Sequence, residues 1–200
     1  MGKSLILGSS VVAGLGASGT TLAYIHFHKT KVETMREKYR LAILDPKKTE
    51  HSDLWNKKFT KLKGLSAAPK YQPLAEVYSI KENENDAKLK HKQACQKAYD
   101  SPSKDIDHLE EFKKLCFINN GDKLDKGKTL INQKTDFGTV YSAFAARSKD
   151  TLSSGFASAW EQKGSSSTDP WQQLMLSECN KVAEDIFTGD NSDFKQFCSK

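Results

Sequence analysis

Past residue 28 the sequence has no further long apolar run. Its mean hydropathy of −0.64 and 28% charged residues exclude a chain that threads a bilayer repeatedly. The motifs that announce catalysis are missing: there is no HExxH, no phosphate-cradling Walker loop and no GxSxG. No CxxC occurs, and His51, His91 and His108 do not fall at ligand spacing, which argues against zinc. The short Val and Ile runs of a parallel sheet are also lacking. Within 200 residues there is room for a membrane segment and one ordinary domain, not for two large enzymatic domains. The expectation is therefore a protein that is not an enzyme, with no catalytic residue, no metal and no cofactor.

Charge is absent in one place. Between Lys3 and Lys29 the chain reads SLILGSSVVAGLGASGTTLAYIHFH, with no formal charge. As a helix rising about 1.5 Å per residue, this stretch exceeds the roughly 30 Å hydrocarbon core of a bilayer. Residues 4–28 are thus expected to form a transmembrane anchor, with Tyr24, His26 and Phe27 at the interface and Lys29 and Lys31 stopping it. Ala13 with Ala17 and Gly14 with Ser18 give small-xxx-small spacing, which permits self-association in lipid. Gly14, Gly16 and Gly19 spell GxGxxG with Glu33 downstream, but a dinucleotide fold needs strands that the remainder does not offer. A cleaved signal peptide is the rival reading, since Lys3 and the small residues at 17–19 suit one. Cleavage there would leave apolar residues 20–27 at the new terminus, which favours retention. Lipid anchoring has no cysteine before Cys95 to use, and Ile6 stands where a myristoylation motif wants Ser or Thr. Orientation is contested: Lys29, Lys31, Arg36, Lys38 and Arg40 favour a cytoplasmic carboxyl-terminal part, whereas the cysteines favour the outside.

The rest of the chain is expected to be mainly α-helical, because its apolar residues recur at three and four positions. Val32, Met35, Tyr39 and Ile43 share one face of a helix continuing from the membrane segment and ending before Pro46. Leu54, Trp55, Phe59 and Leu62 form the next stripe, opened by Ser52 and closed near Gly64. Residues 65–80, with Pro69 and Pro73, read as a loop. Helices follow over about 86–99 and from Ser101 and Pro102 through Leu115, and another starts at Asp169 and Pro170. Lysines such as Lys57, Lys58, Lys61 and Lys63 are interspersed with acids elsewhere and read as a solvated surface. The organisation expected is an anchor over 1–28, a first helical part over 29–118, a polar connection over 119–135 and a second helical part over 136–200.

Four cysteines carry the clearest pattern. Cys95 and Cys116 enclose 20 residues and Cys179 and Cys198 enclose 18, and the flanks match: Cys95-Gln-Lys97 parallels Cys179-Asn-Lys181, and Phe112-Lys-Lys-Leu-Cys116 parallels Phe194-Lys-Gln-Phe-Cys198. Each unit reads as a helical hairpin whose cysteines come within bridging distance, so Cys95–Cys116 and Cys179–Cys198 are the expected disulfides. The alternative is four reduced, buried thiols in a cytoplasmic domain. His91, four residues before Cys95, is weakly placed as base to a nucleophile. Trp55 and Trp160, one ahead of each pair at unequal spacing, hint at a wider duplication.

With the Gly-rich opening, the LWNKKFTKLK segment at 54–63 and the terminal FKQFC, the chain resembles the paralogous families of uncharacterised proteins of haemotropic mycoplasmas over nearly its full length. The resemblance implies a membrane-anchored or exported protein whose multiplicity serves antigenic diversity at the host interface, and it carries over no catalytic residue. The expected location is the cell membrane, single pass, with the polar part extracellular. The expected partners are the lipid bilayer through residues 4–28 and a host cell-surface or extracellular protein, with nucleic acid not favoured. The alternative is a cytoplasm-facing basic module tethered to the membrane, binding anionic lipid or nucleic acid.

Overall fold

The computed structural model describes residues 32–104, 107–164 and 170–200. Among these the protein is helical, with no strand beyond isolated antiparallel bridges, and no helix is long and apolar enough to cross a membrane. The segment 4–28, on which the expected crossing and self-association rest, lies outside the described residues, as does Ile106.

Helix α1, Met35–Lys38, opens on a capping box. Thr34 accepts from the Glu37 N–H, and the Glu37 carboxylate accepts from the Thr34 N–H at 2.9 Å. This start, with Thr34 extended, means that the helix does not run on from upstream, and Val32 is exposed. It gives way to a 3-10 turn over Arg40–Ala42 and to extended Ile43, because Ala42 and Ile43 pair with Phe117 and Ile118 instead of continuing a helix. Helix α2, Ser52–Lys63, follows a 3-10 turn over Thr49–His51, so Ser52 is its first residue and not its cap. Helix α3, Gln72–Ser79, falls inside the expected loop. Pro73 lies in its first turn, where a missing N–H costs nothing. Helix α4, Glu84–Tyr99, buries Ala87, His91, Cys95, Ala98 and Tyr99 along one stripe. Helix α5, Leu109–Leu115, starts later than expected, because the chain at 101–103 pairs with residues 33–35.

The second half repeats this plan. A 3-10 stretch over Lys134–Thr139 leads into α6, Tyr141–Ala145, then α7, Ser154–Glu161, α8, Trp171–Glu184, and α9, Ser192–Phe197. Counted from the cysteines, buried His91, Ala98 and Tyr99 of α4 correspond to buried Met175, Val182 and Ala183 of α8. Phe112 and Leu115 correspond to Phe194 and Phe197. Each half is closed by the residues just after its last cysteine: Ile118 N–H donates to Ala42 O at 2.9 Å, and Lys200 N–H to Thr129 O at 3.0 Å. The acidic residue five before that cysteine plays one role twice. Glu111 accepts from the Lys70 and Tyr71 N–H groups ahead of α3, and Asp193 from the Ser153 N–H ahead of α7. The tryptophans are not equivalent, however. Trp55 is buried in α2, while Trp160 is half-buried in α7 with the Lys163 ammonium over its ring.

Both expected disulfides are present, Cys95–Cys116 with Cα atoms 5.2 Å apart and Cys179–Cys198 at 5.4 Å. Each sits fully buried within its own hydrophobic cluster, one gathered from residues 35–118 and the other from 131–198. Two residues cross over: Ile186, after α8, is buried in the first cluster, and half-buried Phe187 packs against it.

Candidate functional site

The stretch between the repeats is more than a polar connection. It carries a 3-10 turn over Asn120–Asp122, closed by a box in which Asn119 N–H donates to Asp122 Oδ2 at 3.0 Å. Asn119 is 3% exposed, and its amide also donates to Lys113 O at 3.1 Å and Glu184 O at 2.7 Å, so one side chain ties both repeats. Asn120 donates to Val182 O at 2.8 Å, and Phe187 N–H to Ile118 O at 2.9 Å. Gly121 lies against Ala183: a Cβ there would meet the Ala183 carbonyl oxygen at 3.2 Å, tighter than helix packing ordinarily allows.

Under this turn lies Lys58, which is 0% exposed. The expectation of a solvated lysine is corrected here. Lys58 shares the inward stripe with Trp55, Phe59 and Leu62, so helical spacing already placed it inward, and only its charge concealed that. Its ammonium donates to Asn119 Oδ1 and pairs with Asp122 Oδ2 at 2.9 Å. Burial pulls its pKa down to about 8 against the opposing pull of Asp122. Burial works to raise the Asp122 carboxyl, but Lys58, Lys57 and the Asn119 N–H together hold it below the usual range. Lys57 also reaches Asp122, at 2.6 Å, so one carboxylate answers two ammonium groups.

Beside this pair opens a groove of about 520 Å³, lined by Lys57 and Lys61 of α2, by Asp122 and Lys128 of the connection and by Asn180 and Glu184 of α8. A cavity of about 150 Å³ shares Lys61, Asn119 and Glu184 and adds Glu110, Lys113 and Lys114. Lys113 is engaged by Glu110 at 3.3 Å and Asp185 at 2.8 Å. Among the described residues, Lys61, Lys114 and Lys128 have no such partner. Groove, buried lysine and turn belong to the junction, a place the sequence reading assigned no role.

The sequence-singled cysteines sit elsewhere, in the two cores. Among the described residues one trio of possible metal ligands converges, His91 with Cys95 and Cys116, within 4.8 Å of one another. The two sulfurs are bonded to each other, which leaves a single imidazole and no metal centre. Nor is Cys95 a nucleophile for His91 to activate. Nε2 of His91 donates to Leu115 O at 3.0 Å, and burial lowers its pKa to about 4, so the ring is neutral and structural.

Fold and site together define a two-repeat, disulfide-pinned helical domain with a lysine-lined groove at the junction. Comparison of the chain with known protein families, with curated proteins and with solved structures returns no match.

Proposed function

We propose that this is a single-pass membrane-anchored protein whose disulfide-pinned domain faces outward and acts as a surface, host-interaction module, contributing antigenic diversity and carrying out no reaction. The observation that supports it is the pair of buried disulfides, one per repeat. Such bridges persist in oxidising compartments and not where glutathione and thioredoxin keep thiols reduced. The uncharged run over 4–28 supports the anchor, and the resemblance to haemotropic mycoplasma proteins supports the host setting. Duplication of one bridged unit fits a display scaffold, since the bridges fix the frame while other positions differ between the copies, as buried His91 and Met175 do.

On intact cells producing the full chain, a membrane-impermeant amine label is expected to reach the domain's lysines. Nonreducing mass spectrometry of the native protein is expected to find both bridges. Four free thiols in native protein overturn the outward-facing reading. The second reading is a cytoplasm-facing basic module on anionic lipid or nucleic acid. It draws on the basic residues after the anchor, two of which the fold already engages, Arg36 with Asp100 at 2.9 Å and Lys38 with Ser103 O at 3.4 Å. Protease shaving of intact cells that leaves the domain whole favours it.

A further inference from the structure

We infer that the groove between the repeats is a binding site for a small ligand bearing a phosphate or sulfate monoester, held by Lys57, Lys61 and Lys128. Its volume, about 520 Å³, lies in the range of small-molecule sites, roughly 300 to 1,000 Å³. The charge balance of its walls is uneven. Asp122 is spent on Lys57 and the buried Lys58, so the floor keeps a surplus positive charge. Lys61 is half-buried in both cavities and, among the described residues, reaches no carboxylate. Its ammonium is therefore left to water or to a ligand, since a long lysine stem can lie along the wall while the charged head stays at the mouth.

Donors also arrive from more than one direction. Lys57 and Lys61 stand one turn apart on α2, and Lys128 comes from the connection just ahead of the second repeat. A tetrahedral oxyanion offers oxygens to several walls at once, which a planar carboxylate does less well. Thr129 and Asn180, on the same lining, supply neutral hydrogen-bonding groups for a sugar-like remainder. Among the described residues Glu184, which lines both cavities, is an opposing charge at the rim that meets no cation, and it makes the site testable from both directions. The inference stands on the groove alone, whichever side of a membrane carries the domain.

The experiment is calorimetric titration of the full chain in nonionic detergent with glucose 6-phosphate, glucose and inorganic sulfate, with phosphatidic acid vesicles as a separate arm. Saturable binding of glucose 6-phosphate, competed by sulfate and not shown by glucose, is expected. Saturation by phosphatidic acid vesicles that is absent with phosphatidylcholine vesicles and weakened by Lys61→Gln identifies a lipid headgroup as the source of the same monoester chemistry and also upholds the site. Lys61→Gln is expected to weaken binding about fivefold and Glu184→Gln to tighten it about threefold. Lys90→Gln, exposed and remote on α4, is expected to leave it unchanged. No saturable binding in either arm, or affinities indifferent to both Lys61→Gln and Glu184→Gln, overturns the inference.

Discussion

His91 and Met175 hold the same place in their repeats, four residues ahead of the first cysteine, and both are buried. The imidazole has a cost that the thioether lacks. Its folded pKa is about 4, against about 6.5 for an unfolded histidine, so between those values the unfolded chain binds more protons. Stability is therefore fully present above about pH 6.5 and declines as the pH falls toward 4, by up to ~3 kcal/mol from this residue. Asp122 adds to acid loss only further down, because its carboxyl is held below the ordinary range. His91→Met, which borrows the residue of the second repeat, is expected to flatten urea-unfolding stability between pH 6.5 and 4.5 relative to the parent. An unchanged slope would mean that the ring is not buried and neutral. At this same scale lies the lysine that composition concealed. Lys58 is inward by spacing, but a charge-based reading sends every lysine to the surface unless a buried carboxylate such as Asp122 is foreseen across 64 positions of sequence.

Elements were legible where a local signal carried them. The α2 stripe with its Gly64 end, the α4 and α8 stripes and both cysteine pairings follow from periodicity and matched flanks. Helix α3 was hidden because Pro73 reads as a breaker unless it falls in a first turn, and its entry is fixed by Glu111, about 40 residues away. The start of α1 was missed because the apolar period carries straight through Thr34, although Thr34-Met35-Arg36-Glu37 spells a capping box in the sequence. The end of α1 is set by pairing with Phe117, a long-range event. Each bridge closes a short span, 21 and 19 positions, and removes unfolded-state freedom accordingly. Replacing Cys95 and Cys116 together by serine is expected to cost about 3 kcal/mol, read as a lower urea midpoint with an intact helical circular dichroism signal. A midpoint equal to the parent's would show that the bridge constrains nothing.

At the scale of the whole domain, residues 32–200 form one compact unit with two cores. The repeats are not independent. Ile186 completes the first core, Asn119 needs the Glu184 carbonyl, and Phe187 pairs with Ile118. Residues 32–128 produced alone are therefore expected to lack a cooperative unfolding transition and to bind a hydrophobic dye, whereas residues 32–200 unfold in one step. A sharp transition in the shorter piece would show that the crossing contacts are dispensable. None of this was legible in the sequence, because matched cysteine flanks reveal the duplication but not the residues that one copy lends to the other.

The closing pair of each repeat has a mechanical consequence. In the second repeat the chain enters at Thr129 and leaves at Lys200, paired antiparallel, so tension between these points peels the bonds one at a time instead of shearing them together. The mouth is soft, but Cys198 lies directly behind it. Once Lys200 and Ile131 let go, force passes through sulfur to Cys179 in the middle of α8, and α9 with everything between the two cysteines is left out of the load path. A domain tethered at one end and pulled at the other would give at its rim while the bridged hairpin behind the rim kept its shape.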